Sequence, residues 1–283
     1  MKAFDLTSDI HIDHWLRRDF IFEDMVRALL PSGDERSDTL VIAGDIANNI
    51  DCVFYFFEEI VKHYKNIVFV VGNHDLWITG SFESENRLRS SAEKFGAIRY
   101  YAEKFGVTVL DGTATKIDGV VFAGTGMWYD YQFGIKNFNK TEHEMEQLWG
   151  VANNDAIYCK GIDNLSFFRE EREKLDRVLD SADVIVTHVG PDASHIPPKH
   201  YNPITGMFFF DGEDFLKRAN GKVWCYGHTH DRADYTKNGC RLINNAVGYP
   251  TETLLIPIKK VLLPTAPLST IRPHEKEADI DLR

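Results

Sequence analysis

The chain has 283 residues, 43% of them hydrophobic, so it can bury the core of one large domain or of two small ones. Its formal net charge of -11 argues against nonspecific binding of duplex nucleic acid, because that affinity comes mainly from Lys and Arg neutralising phosphates. The four cysteines show no C-x-x-C spacing, and no apolar run is long enough to span a membrane. With no signal-peptide pattern at the N-terminus, a cytoplasmic protein without a disulfide framework is predicted.

Apolar runs of strand length alternate along the chain with amphipathic segments. Strands are predicted at residues 3–6, 39–43, 67–71, 107–110, 120–123, 184–187, 223–226, 241–243 and 253–256. The apolar spacing predicts helices at 22–30 and 52–64, one or two more within 83–105, and a helix at 167–179 with Ser166 as its N-cap. This order of elements predicts an α/β fold.

Two regions depart from this rhythm. Residues 129–165 are rich in Asn, aromatic and acidic residues without clear periodicity, which predicts an insertion lying over the strand ends. It is either a surface excursion with a short helix at 141–149 or a cap that covers a substrate. Residues 265–283 begin with prolines and end in charged residues, which is typical of a C-terminal tail.

Metal-ligating residue types recur at the ends of the predicted strands. In chain order they form the groups Asp9-x-His11, Gly44-Asp45, Gly72-Asn73-His74-Asp75, Thr187-His188 and Gly227-His228-x-His230. Each short pair could arise by chance on a surface, and a lone strand-end histidine is equally compatible with packing. All five groups in this order predict one metal centre assembled from several strand ends. Carboxylate, amide oxygen and imidazole without thiolate suit Mn, Fe, Co, Ni or Zn better than Ca.

On these motifs the chain resembles the calcineurin-like metallophosphoesterases, whose pattern of D-x-H, G-D, G-N-H-[DE], H and G-H-x-H it matches in full. The resemblance implies a domain over residues 1–264 built as a four-layer α/β/β/α sandwich of two mixed β-sheets flanked by helices. It also implies two divalent metal ions, with Mn or Fe favoured. One ion would be held by Asp9, His11 and His230, the other by Asn73, His188 and His228, with Asp45 bridging them.

The function implied is hydrolysis of phosphate mono- or diesters by in-line attack of a metal-bridging hydroxide. Two cations sharing Asp45 would lower the pKa of a water between them and neutralise charge on the phosphoryl oxygens. The resemblance leaves His74 free of metal, so it is the candidate general acid for the leaving alkoxide. Asp75 is predicted to orient His74 and, through a hydrogen bond, to raise its pKa.

Two alternatives stay open at this stage. A nuclease acting on short or single-stranded nucleic acid is compatible with the acidic chain, whereas duplex DNA is not favoured. A non-catalytic scaffold could keep the fold without turnover, although such proteins usually lose ligands and this chain has lost none. The expected partner is a small phosphoester or a nucleotide. Neither the physiological substrate nor the oligomeric state can be predicted from these motifs.

Other residues near the motifs have weaker signals. His195 and His200 lie in a Pro-rich loop after His188 and could contact substrate. The aromatic residues Trp128, Tyr129 and Tyr131 could stack on a leaving group, but packing is the favoured interpretation. The remaining histidines have no partner spacing and are interpreted as surface or core residues, namely His14, His63, His143 and His274.

The segment Asn245-Ala246-Val247-Gly248-Tyr249 is similar to an N-P-R-G-Y stretch in bacterial and phage predicted phosphohydrolases. It keeps the Asn, Gly and Tyr but lacks the Pro and the Arg. An arginine there could have bound a substrate phosphate through two hydrogen bonds. The substrate preference of those relatives therefore does not carry over to this chain.

Overall fold

The computed structural model describes residues 2–16, 21–80, 87–252 and 254–263 of the chain. The predicted tail 265–283 and part of the predicted helical region 83–105 lie outside these residues. Strands in the described part are β1 (Ala3–Thr7), β2 (Thr39–Ala43), β3 (Asn66–Val70), β4 (Val107–Val109), β5 (Thr113–Ile117), β6 (Val120–Gly124), β7 (Val184–Val186), β8 (Val223–Tyr226), β9 (Ala233–Lys237), β10 (Cys240–Asn244) and β11 (Lys259–Leu262).

The helices of the described residues lie mostly between these strands. They are α1 (Ile12–Leu16), α2 (Phe22–Leu29), α3 (Ile50–Ile60), α4 (Asn73–Leu76), α5 (Ser91–Lys104), α6 (Gln132–Phe138), α7 (Glu142–Ala152), α8 (Asp155–Tyr158), α9 (Asn164–Val178) and α10 (Glu213–Arg218). In the part of the chain that the structure describes, no helix combines the length and the apolar character needed to cross a bilayer.

The strands form two mixed sheets. The first has the order β11-β1-β2-β3-β4, in which β1 to β4 are parallel and β11 runs antiparallel at one edge. The second has the order β5-β6-β7-β8-β10-β9, with four parallel central strands and an antiparallel strand at each edge. Parallel strands end at the same edge of a sheet, so both sheets bring their carboxyl ends, and the residues that follow, to one side of the molecule.

The central strands carry apolar side chains on both faces. Each sheet therefore packs against the other sheet on one face and against helices on its opposite face. One apolar cluster joins the sheets and takes every second residue of the central strands, including Phe4, Leu6, Val41, Val186 and Cys225. The other faces carry side chains such as Leu40, Ile42 and Trp224 into a second cluster with the helices. Helix, sheet, sheet and helix therefore follow one another, and the predicted four-layer sandwich is confirmed.

Eight of the nine predicted strands are present within a residue or two of their predicted bounds. The strand predicted at 253–256 is wrong: residues 254–256 are not in a strand, and β11 lies at Lys259–Leu262. Its burial alternates only weakly because it is an edge strand, and Val261 is the one fully buried residue in it.

Two strands that the apolar pattern did not predict, β5 and β9, are half-exposed edge strands. Each forms a hairpin with the next strand through a two-residue turn, Asp118-Gly119 or Asn238-Gly239, and all four turn residues have positive φ. Asp-Gly and Asn-Gly are the dipeptides that favour type I′ hairpin turns. These dipeptides were therefore the signal that could have revealed both strands.

The helix predicted at 167–179 begins earlier than predicted, at Asn164. Its N-cap is Asp163, whose carboxylate accepts a hydrogen bond from the backbone N–H of Ser166 at 3.0 Å. The prediction of Ser166 as N-cap is thus wrong, because an ionised carboxylate three residues earlier satisfies the free N–H groups of the first turn. Within 129–165 the chain forms three helices, α6, α7 and α8.

Candidate metal centre

Seven predicted ligands converge where the two sheets meet at their carboxyl ends. Asp9 and His11 follow β1, Asp45 follows β2, and Asn73 follows β3 in the first sheet. From the second sheet, His188 follows β7, and His228 and His230 follow β8. Their metal-ligating atoms gather into neighbouring groups, of which two are Asp9 with His11 and His230, and Asp45 with His188 and His228. Within each group these atoms lie within 4.8 Å of one another.

The first group contains buried atoms that have no hydrogen-bond partner in the described part of the chain. His11 Nε2 lies 3.2 Å from His230 Nε2, and His230 Nε2 lies 3.8 Å from Asp9 Oδ1. Asp9 Oδ2 and His11 Nδ1 are buried without a hydrogen bond among the described residues. Buried polar groups are rarely left unpaired, and a cation where the Asp9 carboxylate converges with the Nε2 atoms of His11 and His230 would give the partly unpaired carboxylate a partner.

The second group is centred on the amide oxygen of Asn73. Asn73 Oδ1 lies 2.9 Å from His188 Nε2 and 2.9 Å from His228 Nδ1. His188 Nε2 also lies 3.3 Å from Asp45 Oδ2. One amide oxygen, one carboxylate and two imidazole nitrogens therefore face a common point.

Asp45 lies between the two groups. Its Oδ2 is 3.3 Å from His188 Nε2 in the second group and 3.8 Å from His11 Nε2 in the first. Its Oδ1 accepts a hydrogen bond from the backbone N–H of His74 at 2.8 Å, which fixes the carboxylate in place. A single carboxylate thus faces both sets of ligands.

Three of the four histidines are held by an acceptor at the nitrogen that points away from the centre. His188 Nδ1 donates to Ala43 O at 2.8 Å, and His228 Nε2 donates to Met207 O at 3.2 Å. His230 Nδ1 donates to the carboxylate of Glu252. A proton fixed on the far nitrogen leaves the near nitrogen as an acceptor, which is typical of metal-binding histidines. The donor set therefore fits two divalent cations.

The glycines of the motifs stand where loops approach one another too closely for a side chain. A Cβ on Gly72 would lie 2.1 Å from Asp45 Oδ1, and one on Gly227 would lie 2.5 Å from Asp9 Oδ2. A Cβ on Gly44, where φ is +86°, would lie 2.4 Å from His188 Nδ1. Each glycine thus permits the approach of a ligand that comes from a different loop.

Burial raises the pKa of the carboxylates in the centre, whereas the neighbouring histidines lower it. Burial raises the pKa of Asp9 to about 6, although His188 and His230 oppose the shift. Burial also disfavours ionisation of Asp45, but the neighbouring His188 and His74 outweigh it and hold the pKa of Asp45 well below its usual range. A buried carboxylate that stays ionised beside histidines is suited to binding a cation.

The predicted hydrogen bond between Asp75 and His74 is wrong. Both carboxylate oxygens of Asp75 accept backbone N–H groups instead: Oδ2 from Gly72 and Asp45, and Oδ1 from Ile46 and Ala47. Asp75 therefore joins the loops after β2 and β3 rather than orienting the imidazole. A four-residue helix, α4, turns the two consecutive side chains in different directions.

His74 is positioned by Asn48, which the sequence analysis did not identify. His74 Nδ1 donates to Asn48 Oδ1 at 2.6 Å, and one face of the imidazole stacks on Trp77 with ring centroids 3.7 Å apart. Asn48 Nδ2 lies 3.2 Å from the Nε2 of His14, a residue interpreted from sequence as surface or core. Burial lowers the pKa of His74 to about 4, which is opposite to the predicted direction.

The segment similar to N-P-R-G-Y lies against the residues of the centre. Gly248 N–H donates to Asp9 O at 2.9 Å, and Tyr249 OH lies 3.3 Å from His74 Nε2. The tyrosine ring also packs against His11, with centroids 4.4 Å apart. The retained Gly and Tyr therefore hold this segment against the centre.

A cavity of about 1030 Å³ opens beside Asp45, Asn73 and His74. His195 and His200, which the sequence made candidates for contact with substrate, line it, as do residues 152–155 of the insertion. The aromatic residues considered for stacking on a substrate are instead buried in the core, Trp128 at 1% exposure and both Tyr129 and Tyr131 at 0%. The packing interpretation of these three residues is therefore confirmed.

Comparisons with known proteins agree with the fold and with the motifs. A family model described as calcineurin-like phosphoesterase matches residues 3–232. An uncharacterised protein of Acanthamoeba polyphaga mimivirus is 24% identical, over 89% of this chain and 93% of its own length. The acyl-carrier-protein phosphodiesterase PptH of Mycobacterium tuberculosis is 23% identical, over 87% of this chain and 77% of its own length.

Among solved structures, that of phosphopantetheinyl hydrolase (PptH) from Mycobacterium tuberculosis is similar over 92% of this chain and 95% of that chain. The TM-score is 0.77 and the sequence identity is 19%. At this identity the similarity establishes the shared fold and leaves the substrate open.

Proposed function

Because the chain belongs to the calcineurin-like phosphoesterase family, we propose that it hydrolyses phosphate esters at a centre that holds two divalent cations. The observation that carries this proposal is the position of Asp45, which faces His11 in one ligand group and His188 in the other. A carboxylate that faces two ligand sets is suited to a site that holds two cations close together.

Asp9, His11 and His230 would hold one cation, and Asn73, His188 and His228 the other. When bound, two divalent cations supply a water of lowered pKa and neutralise negative charge on the phosphoryl oxygens. The absence of thiolate from both sets suits Mn, Fe, Co, Ni or Zn, and the resemblance to the family favours Mn or Fe among them. Six of these seven residues, including Asp45, are buried, and the partly exposed His230 is held by the carboxylate of Glu252, so the protein itself restricts the arrangement of the site.

His74 would supply the proton that the leaving alkoxide needs. Its Nδ1 is occupied by Asn48, so Nε2 is the atom that faces Tyr249 and the cavity. Burial alone lowers the pKa of His74, whereas a bound phosphate would place negative charge beside the ring and favour the protonated form. Asn48 and Trp77 would restrict the imidazole to one orientation during this transfer.

The size of the cavity supports the proposal of a substrate much larger than phosphate itself. Its volume of about 1030 Å³ suits an extended ester group, and its wall includes the partly exposed side chains of Ile204 and Phe208. A relative named as a phosphodiesterase matches most of the chain, and we extend that to propose a phosphodiester with one large ester group. A scaffold without turnover is disfavoured, because every ligand and the proton donor are retained.

The test is a screen of mono-, di- and cyclic phosphoesters with full-length protein reconstituted with single metal ions. We expect hydrolysis of bis-nitrophenyl phosphate with Mn²⁺, and a loss of roughly a hundredfold or more in Asp45→Asn. Asp130→Asn is a matched control, because it changes a buried carboxylate outside the centre. Absence of turnover on every ester by the metal-loaded protein would favour the scaffold alternative.

A further inference from the structure

One buried carboxylate of the insertion, residues 129–165, contacts the candidate metal centre. Asp155 is the first residue of α8 and is 1% exposed. Its Oδ1 accepts hydrogen bonds from Asn73 Nδ2 at 2.8 Å and from Trp77 Nε1 at 2.6 Å. Its Oδ2 accepts one from Tyr129 OH at 2.9 Å. One carboxylate thus contacts a candidate metal ligand and the tryptophan that stacks on His74.

Asp155 determines which end of the Asn73 amide faces the centre. The amide has an oxygen that accepts and a nitrogen that only donates, and the two ends have almost the same shape. Because Asp155 can only accept when ionised, it requires the NH₂ end of Asn73 to face it. The amide oxygen is then directed to the point where His188 Nε2 and His228 Nδ1 lie at 2.9 Å.

The insertion is built to hold this carboxylate still. Trp149 in α7 donates to Tyr129 OH at 2.6 Å, and that hydroxyl donates in turn to Asp155. Ile78 N–H donates to Tyr158 O at 2.9 Å, which fastens the end of α8 to the segment after Asn73. A chain of hydrogen bonds therefore runs from α7, on the outside of the insertion, to the candidate ligand.

We propose that Asp155 is a positioning residue that sets the affinity of the second cation site, the one formed by Asn73, His188 and His228. This inference rests on the two-cation centre of the proposed function. It gives the insertion a role as a support for the centre. If Asp155 only stabilised the fold, its removal would lower the cation affinities of both sites together or leave both unchanged.

Full-length protein titrated with Mn²⁺ alone tests the inference, with binding followed by calorimetry and by electron paramagnetic resonance. The parent protein should bind two Mn²⁺ and give the signal of a spin-coupled pair. Asp155→Ala should weaken the second site 10- to 100-fold, leave the first within about threefold, and give the signal of isolated Mn²⁺ at one equivalent. Asp155→Asn keeps one acceptor oxygen for Asn73 and should weaken the same site by about threefold to tenfold.

Asp130→Ala is the matched control. Asp130 is a carboxylate 6% exposed in the same insertion, and it accepts hydrogen bonds from the backbone N–H groups of Gln132 and Asp211 rather than from a ligand. It should lower the free energy of unfolding while leaving both Mn²⁺ affinities unchanged. Equal weakening of both sites by Asp155→Ala, or the same selective weakening by Asp130→Ala, would overturn the inference.

If Asp155→Ala does not fold, Asp155→Asn tests the role of Asp155 instead. Parent-like Mn²⁺ affinity at both sites in Asp155→Asn would also overturn the inference. A parent that binds two Mn²⁺ but hydrolyses no ester would reject the proposed function, and the binding isotherms would still decide the role of Asp155. A parent that binds fewer than two Mn²⁺ would reject both.

Discussion

Four of the candidate ligands have backbone in the left-handed region. Asp9, His11, Asp45 and His228 have φ between 45° and 67°, a region that non-glycine residues seldom adopt. Each such residue costs about 1–3 kcal/mol and persists only where the surroundings hold it in place. Here they do, since Asp9 N–H donates to Gly44 O and His228 N–H donates to Asp9 Oδ1. The left-handed backbone at these residues destabilises the loops, but it allows several candidate ligands to converge.

The closeness of these loops predicts an unusually large effect for one glycine substitution. Gly72→Ala would place a Cβ 2.1 Å from Asp45 Oδ1 and 2.5 Å from Asp45 N, and backbone cannot move as easily as the tip of a side chain. We expect a loss of about 2–3 kcal/mol in the free energy of unfolding, together with weaker metal binding. Urea denaturation and a Mn²⁺ titration measure the two effects.

Gly96→Ala is the matched control for that substitution. Gly96 lies within α5 and has no atom within 4 Å of an added Cβ. Replacing a glycine inside a helix should stabilise the protein by about 0.5–1 kcal/mol. If Gly72→Ala proved as harmless as Gly96→Ala, the close packing of Gly72 on Asp45 would have to be abandoned.

His74 can be tested through the leaving group of the substrate. If its Nε2 protonates the departing oxygen, His74→Asn should slow alkyl phosphodiesters by about 10²- to 10⁴-fold. Nitrophenyl esters leave without a proton, so their turnover should fall much less. Metal analysis should still find both ions, because His74 is not one of the proposed ligands. Equal losses on the two ester types would remove His74 from the role of acid.

At the scale of the elements, an ion-paired carboxylate ties together strands of different sheets. Asp234 in β9 accepts hydrogen bonds from Arg241 Nε at 2.8 Å and Nη2 at 2.9 Å, and from Lys259 Nζ at 2.8 Å. Arg241 lies in β10 of the same sheet, whereas Lys259 lies in β11 of the other. The hydrogen bonds from Arg241, followed by those from Lys259, lower the pKa of Asp234 to about 2.

This shift predicts the pH dependence of one part of the stability. The pKa of Asp234 is depressed in the folded chain relative to its ordinary value of 3.8, so its contribution is complete above about pH 5. The contribution disappears as the pH falls through 2. Because the side chain is 30% exposed, we expect about 0.5–1 kcal/mol. Urea midpoints of the parent and Asp234→Asn should differ at pH 6 and converge towards pH 2, whereas a constant difference would contradict the assignment.

The sequence predicted the central elements well and the edges less well, for a physical reason. Central strands such as β2 and β8 are buried on both faces and are therefore continuous apolar runs. Edge strands such as β5 and β11 are half-exposed, so their composition resembles that of loops. The convergence of the candidate ligands was predictable because five groups of imidazoles and carboxylates follow predicted strands in one order, a combined pattern that packing does not require. Asn48, Asp155 and Glu252 were not, because contacts across distant parts of the chain leave no local pattern.

At the scale of the whole molecule, the centre lies across the interface between the two sheets. The proposed first cation would join the loop after β1 to the loop after β8, and the second would join β3 to β7 and β8. Both sites therefore require the two sheets to be packed in their native arrangement. Separated or unfolded sheets would present only isolated ligands, which bind divalent ions weakly.

Metal binding should consequently stabilise the entire fold rather than one loop. A ligand that binds only the folded chain adds RT ln(1 + [L]/Kd), about 2.7 kcal/mol for each site at a hundred times its Kd. We expect Mn²⁺ to raise the Tm in a single cooperative transition, EDTA to reverse it, and amide exchange to slow in β1 and β8 together. Asp45→Asn should lose most of this gain, because Asp45 faces both ligand groups. Protection confined to the strands of one sheet would show instead that the cations do not join the two sheets, whatever activity the metal-loaded protein has.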